Sequence, residues 1–554
     1  MCRFRGLLLV FFLTVAAVAQ HPVRARHAMV VAQEPLAADV GLEVLRDGGN
    51  AIDAAVAVAF ALAVTHPAAG NLGGGGFLLA RFADGRTAFV DFRERAPKRA
   101  HRNLYLDAEG RPTGESITGW RACGVPGTVR GLELAHGNYG RKSWAALIAP
   151  AVRLAREGFP VSWQLSESLE SAKALAASEE SHRIFQRNGK YYEPGELLVQ
   201  AELAATLERI ARGGAAEFYE GETARRLADQ MERHGGLITL EDLRDYRAVE
   251  RPVLRGAYRG YEILTAPPPS SGGIGLLQML GMLEGSGYER AGFGAAATIH
   301  HVAEVMRRFY ADRSEFLADP DYFRVPLGRL LDPAYLARRR RSIEPDRATP
   351  SERLRPGEAA EPERSQTTHL AIVDPEGNAV ALTYTLNGAF GSGVTVAGLG
   401  FLLNNEMDDF SVKPGTPNMF GLVQGEANAI EPGKRPLSSM TPTIVLRDGR
   451  LFLVLGAPGG SRIINGVLQV LLNLVDFTMN IQDAVDRPRF HHQWKPDTLF
   501  LEDGFSPDTI ELLGRRGHRI SRIASVAVVE AIRAGEGRLE GATDRRGHGK
   551  AAGY

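Results

Sequence analysis

Thr367-Thr368-His369-Leu370-Ala371-Ile372-Val373-Asp374, then Pro375-Glu376-Gly377-Asn378, then Ala379-Val380-Ala381-Leu382-Thr383-Tyr384-Thr385-Leu386, is the stretch that decides the fold. Alternating and β-branched residues on either side of a proline–glycine turn predict a hairpin. What precedes it has the opposite character. Residues 338–341 are four arginines, and the polar run from there to Gln366 carries Pro345, Pro350, Pro356 and Pro362 with almost no large apolar residue. Such a composition cannot bury enough surface to fold tightly, so residues from about 342 to 366 read as an exposed linker. The arginines read as a solvated helix end rather than a nucleic-acid site. Threonine at a strand start is ordinary by itself. A polar linker that stops abruptly at such a threonine is what a self-cleaving precursor requires: a reachable bond, here Gln366/Thr367, and a rigid element to hold the new terminus.

The chemistry explains why the bond should be cut there. A threonine hydroxyl is a weak nucleophile and needs an adjacent base. Cleavage before Thr367 would free an α-amino group in the same residue, with an unperturbed pKa of about 7.7–8.0. In the uncut chain that nitrogen is an amide and cannot take a proton.

Outward from the hairpin, the 554 residues are 44% apolar and 23% charged, the balance of a globular protein with a large core. Lysine plus arginine and aspartate plus glutamate both number 65, so no global field favours nucleic acid or an anionic membrane. Small molecules are the expected partners. At the start, Met-Cys-Arg-Phe-Arg precedes an apolar run over residues 6–18, and Ala17-Val18-Ala19 fits a small-residue cleavage site. Residues 1–19 therefore read as a signal peptide, too short for the roughly 17–25 residues of a spanning helix. A periplasmic or secreted protein follows, off the membrane once the signal is removed, with Cys123 left alone and no disulfide. The alanine-rich residues 51–64 read instead as a buried core helix, with Asn50 as N-cap and Asp53 in its first turn.

Helical periodicity at residues 144–156, glycine-rich breaks at 70–76 and 270–273, and strands at 443–446 and 451–455 give a mixed α/β protein without internal repeats. The expected division is a large piece, 20–366, and a small piece, 367–554, that carries the nucleophile. No cofactor and no metal are expected: His491-His492 lacks suitably spaced partners and reads as structural.

Longer motifs extend this reading. Thr367-Thr368-His369, Asn404-Asn405-Glu406-Met407-Asp408-Asp409-Phe410, Pro436-Leu437-Ser438-Ser439-Met440 and Gly459-Gly460-Ser461-Arg462 together resemble the γ-glutamyltranspeptidase family. So do Asp91-Phe92-Arg93-Glu94, Gly124-Val125-Pro126-Gly127, Pro488-Arg489-Phe490-His491-His492 and Ala552-Gly553-Tyr554, which spread the likeness over nearly the whole mature chain. The resemblance implies an N-terminal nucleophile hydrolase with an αββα four-layer sandwich built from both cleavage products, which remain together as a heterodimer. It implies transfer of γ-glutamyl groups from glutathione and related amides to water, amino acids or dipeptides, through a γ-glutamyl ester on Thr367.

Residue roles come with the resemblance. Arg93, Ser438 and Ser439 would hold the substrate α-carboxylate, for which a guanidinium fork is well shaped. Asn387, Glu406 and Asp409 would receive the α-ammonium, Glu406 standing where some relatives carry glutamine. Thr385 would support the nucleophile, and the N–H groups of Gly459 and Gly460 would hold the developing oxyanion. Pro417-Asn418-Met419-Phe420-Gly421 resembles a lid loop, with Phe420 where a tyrosine is familiar and so without that hydroxyl's hydrogen bond. Read without the resemblance, Arg93 also fits a surface ion pair, the glycine pair a plain turn, and residues 404–409 a polar turn. The rival functions are a glutaryl acylase acting on cephalosporins, a poly-γ-glutamate transpeptidase and a non-catalytic periplasmic binding protein for γ-glutamyl compounds.

Overall fold

Alternation along the hairpin puts its side chains into two different cores. Leu370, Ile372, Val380 and Leu382 enter one apolar cluster, while Ala371, Val373, Ala379 and Ala381 enter another. A strand buried on both faces must lie inside a layered sandwich. The computed structural model describes residues 21–176, 178–187, 189–354 and 365–554, with the side chains of residues 365 and 366 left out. The expected signal at 1–19 and the second half of the expected linker lie outside the described residues.

Among the described residues, the two large sheets are made by β1 (Val23–Ala25), β2 (Met29–Ala32), β3 (Gly75–Arg81), β4 (Thr87–Asp91), β5 (Val249–Glu250), β6 (Leu254–Tyr258), β7 (Tyr261–Thr265), β8 (Ser365–Val373), β9 (Ala379–Gly388), β10 (Thr443–Arg447), β11 (Arg450–Gly456), β12 (Glu530–Gly535), β13 (Arg538–Ala542) and β14 (Lys550–Gly553). One sheet runs β14-β2-β8-β9-β3-β4-β5 and the other β1-β13-β12-β11-β10-β7-β6. Every neighbouring pair in both is antiparallel. The predicted hairpin is β8–β9, with Thr367 opposite Thr385 and a register irregularity between Ser365 and Thr367.

Helices cover both outer faces. Against the hairpin's sheet lie α1 (Pro35–Arg46) and α2 (Ala51–Thr65), with α3 (Trp144–Glu157) and α4 (Ala201–Tyr219) beyond them. Every residue of α2 is buried, and Asn50 and Asp53 close a reciprocal capping box at its start, as the sequence suggests. Against the other sheet lie α5 (Gly272–Leu283), α6 (Ala296–Phe316) and α7 (Ile463–Val475). The layer order is αββα, as expected. Among the described residues no helix is long and apolar enough to cross a membrane.

The expected linker needs correction over its first half. Ser351 is fully buried, donating from Oγ to the Trp494 carbonyl and from its N–H to Asp497. Thr349 donates through both N–H and Oγ1 to Glu304 on α6. This segment docks through these hydrogen bonds together with a few scattered apolar contacts, Ile343, Ala348 and Leu354, too sparse for a hydrophobicity argument to see.

Candidate active site

β8 and β9 deliver the central hydroxyls. Thr367 is 4% exposed, and its Oγ1 lies 3.3 Å from Oγ1 of Thr385. Thr385 Oγ1 also accepts the Asn387 N–H at 2.8 Å, which fixes its orientation. The glycine run before β3 lets the chain pass directly against Thr385: a Cβ on Gly74 would stand 2.0 Å from the Thr385 carbonyl oxygen. That carbonyl accepts from Asn71 at 2.9 Å.

Arg93 follows β4 and is 1% exposed, so the surface-ion-pair reading fails. Its backbone is held on both sides: the N–H donates to Asp91 at 3.0 Å and the carbonyl accepts from Tyr246 at 2.9 Å. Its guanidinium donates to the Pro436 carbonyl, to Glu406 and, at 2.6 Å, to Asp409. Burial opposes the arginine's charge, but Glu406, Asp409 and Glu94 together hold it above the ordinary arginine range. Burial pushes the Glu94 carboxyl up to about 7 and that of Glu406 well above the usual range, both against the pull of Arg93. The residues expected to bind carboxylate and ammonium therefore touch one another across the site.

Glu406 and Asp409 sit on a short 3-10 turn, Glu406–Asp409. Asn404 holds that turn by accepting the N–H groups of Glu406 and Gly124 and donating to the carbonyls of Gly73 and Gly124. Asn387 has φ of 77° and donates its side-chain N–H to the Asn405 carbonyl at 3.0 Å. Its amide oxygen is then the group left to accept from a ligand.

After β11 the chain turns through Gly459 (φ 141°) and Gly460 (φ 54°), a conformation that excludes most side chains. Among the expected site residues whose side chains are described, all but Gly459 line one small pocket; Gly460 does, joined by Ser461. Phe420 lines it too and is only 4% exposed. Among the described residues its loop is held without any hydroxyl. Asn418 donates to Asp409, the Met419 N–H donates to Asp408, and the Phe420 carbonyl accepts from Gln493 at 3.0 Å.

Sequence reasoning missed the supports behind the pocket. Gln493 also accepts from Ser461 Oγ at 2.7 Å, and Tyr310 on α6 donates to the Ser461 carbonyl. Ser461 lies inside a quoted motif, whereas Tyr310 and Gln493 carry no local signal. His491 and His492 are buried and held by Asn465, Gln493 and the Trp494 N–H, a structural role. Burial pulls them down to about 3 and about 4 respectively, so both are neutral near pH 7. No cluster that could hold a metal occurs among the described residues. Cys123 is free and buried, its thiol pushed up to about 12 by burial.

Two antiparallel sheets between helical layers, with a threonine hydroxyl near the start of an inner strand and facing a pocket, define an N-terminal nucleophile hydrolase. The structure resembles a cephalosporin acylase from Bacillus halodurans, at TM-score 0.85 and 28% identity over 99% of both chains. It also resembles the γ-glutamyltranspeptidase of Helicobacter pylori, at TM-score 0.57 and 44% identity, covering 58% of this chain and 94% of that one. The family profile described as gamma-glutamyltranspeptidase matches residues 37–554. The glutathione hydrolase proenzyme of Escherichia coli (strain K12) is 49% identical over 530 residues, 95% of this chain and 91% of that protein. The chain belongs to the γ-glutamyltranspeptidase family.

Proposed function

We propose that this protein is a self-cleaving γ-glutamyltransferase and glutathione hydrolase, exported to the periplasm or secreted. The observation that carries the reading is the buried Thr367 hydroxyl beside Thr385, in one pocket with Arg93, Glu406 and Asp409. In maturation, Thr367 Oγ1 attacks the Gln366 carbonyl, the peptide bond breaks to leave an ester, and water hydrolyses the ester. The free α-amino group of Thr367 results, and residues 20–366 and 367–554 stay together as two subunits.

In turnover the α-amine takes the hydroxyl proton as Oγ1 attacks the γ-carbonyl of glutathione or a similar amide. The Gly460 N–H and its Gly459 neighbour stabilise the oxyanion, and the amine leaves with the proton. Water or the amino group of an amino acid or dipeptide then attacks the γ-glutamyl ester and regenerates Thr367. Arg93, Ser438 and Ser439 hold the α-carboxylate; Glu406, Asp409 and the Asn387 oxygen hold the ammonium.

The glutaryl acylase reading is weaker because a glutaryl group offers no ammonium to the acidic pair that lines the pocket. A pure binding protein would not need the Thr367–Thr385 hydroxyl pair. A poly-γ-glutamate transpeptidase differs only in its acceptor, which product analysis with peptide acceptors distinguishes.

Intact-mass analysis of exported wild type and Thr367→Ala, with a γ-glutamyl anilide assay on each, tests the proposal. The expected result is two wild-type chains meeting at Gln366/Thr367 and one inactive mutant chain. An uncut active wild type, or an active mutant, overturns it.

A further inference from the structure

Arg93 cannot by itself supply the positive charge that a substrate carboxylate needs. Its guanidinium is already matched by Glu406 and Asp409, and Glu94 approaches to 3.7 Å. A second cation lies one side chain behind the pocket. Arg313, on α6, is 2% exposed, and among the described residues no carboxylate comes within ion-pair distance of it. Nε donates to Ser271 Oγ at 2.9 Å, an Nη donates to Ser439 Oγ at 3.3 Å, and the other Nη has no hydrogen-bond partner among the described residues. A buried arginine with no carboxylate in contact, its charge favoured only from a distance by Asp409, is costly to keep and calls for a function. Burial pulls its guanidinium down to about 10, which still leaves it charged at neutral pH.

The hydrogen-bond directions show what this charge does. Ser439 Oγ accepts from Arg313, so its own proton is free to be donated into the pocket that Ser439 lines. Ser438 Oγ accepts the Met440 N–H and is set the same way. Ser271 accepts from Arg313 and donates onward to the Ser438 carbonyl at 2.6 Å. One guanidinium thus turns Ser439 into a donor and, through Ser271, fixes the backbone of Ser438.

We infer that Arg313 is a positioning residue that determines specificity for donors bearing an α-carboxylate, acting through Ser439 and Ser271 rather than by touching substrate. The inference rests on the γ-glutamyl reading above. Its test compares wild type, Arg313→Gln and Arg313→Lys on γ-glutamyl p-nitroanilide and on the same donor with its α-carboxylate converted to the neutral amide, the second by single turnover with enzyme in excess. Arg313→Gln is expected to raise KM for the carboxylate donor by about 10- to 100-fold with kcat within about threefold, the weight of a charge-assisted hydrogen bond. The amide donor should be unaffected, and Arg313→Lys should recover most of the loss. Equal losses on both donors, a fall in kcat without a change in KM, or failure of both variants to cleave themselves overturns the inference. A wild type inactive on γ-glutamyl p-nitroanilide instead strikes the proposed function.

Discussion

At the scale of single residues, the site depends on who donates to whom. Thr385 accepts from the Asn387 N–H through the oxygen that faces Thr367, so it can orient the nucleophile only while it keeps that oxygen. Thr385→Val keeps the shape and removes the oxygen. It should slow self-cleavage by on the order of tenfold to a hundredfold while the protein still folds, as loss of one positioned hydrogen bond predicts. A gel time course of precursor disappearance measures this, and an unchanged rate removes Thr385 from the mechanism. His369, though two residues from the nucleophile, is no rival base. Burial pulls it down to about 3, and its Nδ1 is engaged with Thr383 Oγ1.

At the scale of elements, α6 is the piece that the chain's local pattern describes least and the site uses most. Its Arg313 reaches Ser439, its Tyr310 reaches Ser461, and its Glu304 pins the segment around Thr349. Burial alone would raise the Glu304 carboxyl, but Arg307, Arg308 and Thr349 overcome it and hold the group at about 2, against an ordinary 4.5. A depressed acid contributes stability above its unfolded pKa and loses it as pH falls toward the folded value. Glu304→Gln should therefore destabilise the protein by on the order of 3 kcal/mol at pH 7, with the gap to wild type narrowing below pH 4.5 and closing near pH 2. Thermal melts of both proteins across that range test it; a gap independent of pH refutes it. The hairpin and α2 were legible because each repeats one rule over many residues: strand alternation in the first, unbroken apolarity after a capping box in the second. The pocket residues were legible through motifs in order along the chain. Arg313 and Gln493 were not, since a buried polar residue takes its meaning from partners far away in sequence. The docking of Ser351 and Thr349 escaped for the same reason.

At the scale of the whole molecule, both sheets are woven from the two sides of the Gln366/Thr367 bond. β8 lies between β2 and β9, and β2 itself pairs with β14 at the far end of the chain. In the other sheet β1 is bound to β13 and β7 to β10. The two products of cleavage should thus migrate as one particle on size exclusion and separate only in denaturant. A further consequence concerns reversibility. The strand order can be reached by one continuous chain, in which every pairing is intramolecular; two severed chains must find the same weave by collision, with apolar strands exposed meanwhile. Mature wild type should lose its activity permanently after guanidinium and dilution, whereas uncut Thr367→Ala should recover its native circular dichroism. Equal recovery of both would refute this. That outcome would make the durability of the working enzyme a lifetime rather than an equilibrium, with a single opportunity for each molecule to assemble.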